Sequence, residues 1–138
     1  MRLLYHCPLA KGGLALYGQH QAAALAALPG VELLWHAPES LALPDRCKFI
    51  GAIPAHERSA GRSRLRRGLD FLVDTMGPYH LLIDQVETHQ PDVVVLCSWG
   101  EYFAPLWAWQ LRRLKKRGVA FAVVAHDPIR DFVRGPRW

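Results

Sequence analysis

The 138-residue chain has three cysteines, Cys7, Cys47 and Cys97, and no two of them form a CxxC pair. An odd, dispersed set of thiols cannot build a fully paired disulfide framework and lacks the spacing of a cysteine zinc knuckle. The seven histidines show no HExxH or paired spacing, so the expectation is no metal site. Neither G-x-G-x-x-G nor G-x-x-x-x-G-K-[ST] occurs, and the second apolar run ends at Trp35-His36 without the acid that would hold a ribose. These absences weigh against a nucleotide-dependent dehydrogenase and a P-loop ATPase. No G-x-S-x-G elbow surrounds Ser98, and no hydrolase triad can be assembled. The opening MRLLYHCPLAKGG is too short and too polar in its apolar part for a signal peptide. Reduced thiols without an export signal point to the cytosol.

What is present suits one α/β domain. A composition of 51% hydrophobic and 21% charged residues can bury a core in a chain of this length, which excludes a disordered tail. Residues 93–111 carry a single charge, Glu101, over a length that could cross a bilayer. A carboxylate near the middle, with Ser98, Gly100, Pro105 and Gln110, favours a buried strand, a turn and an amphipathic helix instead.

The run Leu3-Leu4-Tyr5 reads as a strand ending in Cys7-Pro8, and Gly12-Gly13 then leads into a helix expected to bury Leu14, Tyr17, Ala24, Leu25 and Leu28. Pro29-Gly30 stops that helix, and residues 31–35 form a second strand. Residues 38–62, rich in proline and glycine, are expected to be an irregular basic connection. Helices are expected over about 63–76 and 79–89, interrupted by Gly77-Pro78. The unbroken apolar run at 93–97 predicts a strand covered on both faces. Phe103, Leu106, Trp107, Leu111 and Leu114 keep helical spacing behind Pro105, Gly118 caps that helix, and 119–125 is expected to be another fully buried strand. This alternation predicts a doubly wound parallel sheet, Rossmann-like, in a single domain spanning 1–138. Residues 129–138 supply no closing helix, so the domain reads as cut rather than finished.

The net charge of +5 is local. Residues 46–67 hold seven basic side chains and one acid, a net +6, so the remainder carries −1. Within that stretch Arg58, Arg62, Arg64, Arg66 and Arg67 are candidates for contact with a membrane or another anion, beside an apolar stripe of Leu65, Leu69, Leu72 and Met76. A solvated loop and a core-facing stripe explain the same residues equally well. No aromatic is interleaved with the arginines, which argues against nucleic acid. The second cluster, Arg112, Arg113, Lys115, Lys116 and Arg117, fits the last turn of a helix, where cations complement the dipole.

Ligands of open parallel sheets bind beyond the carboxyl ends of the strands, which selects the loops at 8–13, 98–102 and 126–130. Gly12 and Gly13 allow close backbone approach, and the following helix start offers N–H groups to an anion; a simple tight turn reads as easily. His126 and Asp127 stand where a strand opens into a loop, as an active-site residue or a structural histidine would. His6-Cys7 and Cys97 fall at the ends of strands that could be neighbours, although dispersed thiols are usually inert small hydrophobes.

The order of strand, Gly12-Gly13, helix, QPDVVVLCSW, a helix ending LKKRG, and VAFAVVAHDP resembles the N-terminal, acceptor-side domain of GT-B retaining glycosyltransferases, family 4 in particular, over nearly the whole chain. The resemblance implies half of an enzyme that transfers sugar from a nucleotide-sugar to a hydroxyl on a lipid, polysaccharide or small molecule. It implies no cofactor beyond the donor substrate. By position it would set Gly12 and Gly13 at the cleft, with Ser98 on its wall, His126 as the catalytic histidine on the transferred sugar, and Asp127 beside it. The basic segment would dock on an anionic membrane, placing the protein peripherally on its inner face. Two features depart from the family. The strand before Ser98 reads Val95-Leu96-Cys97 where relatives often carry histidine, and the donor domain with its paired glutamates is absent from the sequence. The isolated chain is therefore expected to be inactive. The alternative reading is a non-catalytic α/β binding module recruited to anionic surfaces or partners.

Overall fold

A computed structural model describes residues 1–54, 64–97 and 104–124. Five strands and three helices follow one another as β1 (Arg2–His6), α1 (Gly13–Ala26), β2 (Glu32–Ala37), β3 (Cys47–Ala52), α2 (Arg64–His89), β4 (Val93–Leu96), α3 (Ala104–Lys116) and β5 (Ala120–Val123). The strands form one sheet in the order β3-β2-β1-β4-β5 with every neighbouring pair parallel. The architecture is α/β and compatible with a Rossmann-like fold. β1 is central: His6 stands opposite His36 on β2 and opposite Leu96 on β4. Right-handed crossovers that step one way from β1 to β2 and the other way from β4 to β5 must put their helices on opposite faces. Two cores result.

On one face Leu3, Tyr5, Cys7, Leu33, Trp35, Val95 and Cys97 pack against α1. On the other, Leu4, Leu34, Val94 and Leu96 pack against Tyr79, Leu82 and Val86 of α2 and Leu111 and Leu114 of α3. Alternate residues of β1 thus serve alternate layers, and its apolar run is continuous because both faces are covered. The amino edge is stitched by Arg2, whose amide donates to Asp92 and whose guanidinium donates to Glu32 and to the His89 carbonyl.

Four expectations are corrected. α1 buries Ala15, Gly18, Ala22 and Ala26, whereas Leu14, Leu16 and Tyr17 are 45%, 55% and 48% exposed and Leu28 is also out. The sheet supplies the bulk here, since Trp35 and Tyr5 stack with centroids 5.6 Å apart, and only small helical side chains fit above them. Second, α2 runs unbroken through Gly77-Pro78. A proline's φ is itself helical, so the disruption is local, and Tyr79, Leu82 and Val86 at i, i+3 and i+7 hold the C-terminal half on the sheet. Third, β3 lies inside the stretch expected to be irregular; it is a half-exposed edge strand whose alternation is interrupted by a register shift opposite Trp35/His36. Fourth, β5 is largely exposed, because only β4 pairs with it among the described residues.

α3 begins beside Pro105 as expected, and its end carries Arg113, Lys115 and Lys116. Gly118, at φ +93°, closes it, with the Val119 amide reaching back to the Leu114 carbonyl. Arg117 pairs with Glu87 of α2 at 2.7 Å. No helix among the described residues is long and apolar enough to cross a membrane.

The reversed face of α1 makes a direct prediction. Ala22→Leu should destabilise the fold by about 1–3 kcal/mol through overpacking, whereas Leu16→Ser should change stability by no more than about 0.5 kcal/mol. Urea-unfolding midpoints measure both.

Candidate functional site

The sheet order reverses between β1 and β4, and the carboxyl ends of those strands open the crevice where α/β proteins bind ligands. The loop leaving β1 enters α1 through Gly12, whose φ of 97° and ψ of 176° belong to a region essentially restricted to glycine. α1 has no side-chain cap and no acid in its first turn, so its leading amides keep their positive end for a ligand. A Cβ built on Gly12 or Gly13 meets nothing within 4 Å among the described residues. Gly12 and Gly13 thus join the loop after β1 to the start of α1.

Beneath that turn the two strand ends carry paired thiols. Cys7 and Cys97 are fully buried and stand opposite each other, one residue beyond the His6–Leu96 pair of β1 and β4. Cys97 Sγ donates to the Leu14 carbonyl (3.8 Å). Gly18 lies directly above: a Cβ there would stand 2.9 Å from Cys97 Sγ and 3.2 Å from Cys7 Sγ. The interaction with Cys97, with burial second, holds the Cys7 thiol well above the ordinary thiol range. Tyr5, whose hydroxyl donates to Gln21 Oε1, is likewise pushed up by burial and then by Cys97.

The opposite face holds a histidine pair. His6 and His36, side by side on β1 and β2, bring their Nδ1 atoms to 3.1 Å, with Tyr79 beside His6. One nitrogen must donate and the other accept. His6 Nε2 is buried without a partner among the described residues, so His6 is best placed to donate from Nδ1 and leave a lone pair, the cheaper orphan, at Nε2. Burial, then the neighbouring His36, drives His6 well below its ordinary pKa, and burial lowers His36 to about 4. Both rings are neutral at pH 7.

Ser98, His126 and Asp127 lie outside the described residues, as do Arg58 and Arg62. Arg64, Arg66 and Arg67 belong to the start of α2 by backbone, and their side chains fall outside the description. Among the described residues no group of three His, Cys, Asp or Glu side chains could hold a metal ion. A groove of about 670 Å³, lined by Glu87, Asp92 and Arg117, opens at the amino edge, across the sheet from the crevice. Sequence reasoning missed the His6–His36 pair, although two strands each ending in histidine were a usable signal. Comparison with protein-family models, curated proteins and solved structures finds no match to this chain.

Two outcomes follow from this geometry. Gly12→Ala should cost about 1–3 kcal/mol from backbone strain alone, because its Cβ meets no neighbour among the described residues. The histidines bind protons more weakly folded than unfolded, so their contribution is complete above pH 6.5 and is lost as the pH falls toward 4. His36 alone accounts for about 3 kcal/mol across that window. Urea titrations at pH 7.5 and 4.5 should show this loss in the parent, and a smaller one in the double variant His6→Phe/His36→Phe.

Proposed function

We propose that this chain is the acceptor-side half of a GT-B retaining glycosyltransferase of the family 4 type. The observation that carries the reading is the uncapped start of α1, entered through Gly12 in a glycine-only conformation, at the reversal point of a wholly parallel sheet. The space in front of Gly12 and Gly13, clear of other described residues, suits the phosphates of a nucleotide-sugar or a polar acceptor. The sequence resemblance, with Ser98 after β4 and His126-Asp127 after β5, supplies the remaining wall of the cleft.

In this reading the enzyme moves a sugar from a nucleotide diphosphate to an acceptor hydroxyl. Positive charge develops at the anomeric carbon and negative charge on the departing diphosphate. The leading amides of α1 stabilise the anion, His126 orients the sugar, and Ser98 and Asp127 line the acceptor side. A second α/β domain binds the nucleotide. The arginines at 58, 62, 64, 66 and 67 hold the enzyme against an anionic membrane surface.

Titrating the chain with pyrophosphate should shift the backbone amide resonances of residues 12–15 and leave residues 86–92, at the opposite edge, unmoved. In the whole enzyme His126→Ala should reduce sugar transfer at least about tenfold, the scale of one lost transition-state contact. Undiminished turnover in that variant, or pyrophosphate shifts confined to other regions, would overturn the assignment.

A further inference from the structure

Cys7 and Cys97 have no part in the proposed transfer, yet two buried thiols stand opposite each other on adjacent strands. Both continue the ladder beyond the paired ends of β1 and β4: the Cys97 amide donates to the His6 carbonyl and the Cys7 amide to the His36 carbonyl, each at 2.9 Å. Neighbouring strands run about 4.7–4.9 Å apart, inside the Cα separations of roughly 4.4–6.8 Å that a disulfide spans. Both side chains lie on the α1 face, in the same core. Both sulfurs lie within 3.2 Å of where a Gly18 Cβ would stand, so glycine at position 18 leaves the room that the two thiols share. Cys47 belongs to the edge strand β3, beyond β2, and cannot compete for either sulfur in the folded chain.

We propose that Cys7 and Cys97 form a reversible redox site, converted to an intramolecular disulfide by a peroxide. One sulfur attacks a peroxide oxygen, forming an S–O bond as the O–O bond breaks; the displaced hydroxide takes the thiol proton and leaves as water. The second sulfur then attacks the sulfenic sulfur, forming S–S and expelling the hydroxyl, which leaves as water with the second thiol proton. Two thiols and one hydrogen peroxide thus give one disulfide and two waters, the sulfurs supplying the two electrons. Because the neighbouring thiol is already in place, the sulfenic acid closes to the disulfide before further oxidation. Oxidation also withdraws the Cys97 S–H from the Leu14 carbonyl, so the bond reports to the first turn of α1. The site stands whether or not the chain is a glycosyltransferase.

The test treats the reduced chain with hydrogen peroxide at pH 8.5, blocks remaining thiols and maps peptides without reductant. The expected product is a Cys7–Cys97 cross-linked peptide that has lost two hydrogens and is restored by dithiothreitol. In Cys7→Ser or Cys97→Ser the cross-link disappears and the remaining sulfur is expected to reach sulfinic acid at least about tenfold more than in the parent. The cross-link is read on the parent chain, so the result does not depend on either variant folding. A cross-link to Cys47, sulfinic acid at both positions without a cross-link, or thiols unchanged under conditions that fully oxidise a cysteine peptide would each overturn the proposal.

Discussion

Trp35 and Tyr5 stack across β2 and β1 and fill one face of the sheet, so the helix above them can approach only with small side chains. Ala15, Gly18, Ala22 and Ala26 answer that demand at helical spacing. The close approach has consequences along the length of α1. It buries the two thiols under Gly18, sets Gln21 against the Tyr5 hydroxyl, and fixes where the first turn begins, with Gly12 bent into a backbone shape other residues resist. The loop-to-helix entry at the end of β1 thus follows from how the core beneath it is filled.

The parts of the fold legible in the sequence are those in which burial is symmetric. β1, β2 and β4 are covered on both faces, and their continuous apolar runs say so. Among the described residues β3 pairs only with β2 and has a half-exposed surface, and Cys47-Lys48-Phe49 followed by Gly51 resembles any polar connection. The face of α1 was not legible for a different reason. Leucine and tyrosine are placed inward by default, and only the partner surface, with its tryptophan, reveals that alanine and glycine belong there. Pro78 misled because a single lost hydrogen bond is outweighed by three core side chains beyond it.

For the candidate site, local signals survived and paired ones did not. The glycines at 12 and 13 announce a loop-to-helix entry by themselves. His6 and His36 stand thirty residues apart, and only their register in adjacent strands makes them partners. The sequence leaves open whether the strands ending in Cys7 and Cys97 are neighbours; the pairing of β1 with β4 makes them so. The approach of the two thiols depends further on both side chains facing α1, which follows once the alternation of β1 is known.

The central place of β1 carries a cost in time. β1 emerges before the other four described strands and waits for β2, and its other flank stays bare until β4 appears; the Arg2 amide and Asp92 carboxylate that close this edge are separated by 90 positions. Closing so long a stretch of chain is entropically slow, and sheets dominated by distant pairings assemble late. Until then the side chains of β1 that become most deeply enclosed are exposed to whatever the nascent polypeptide meets.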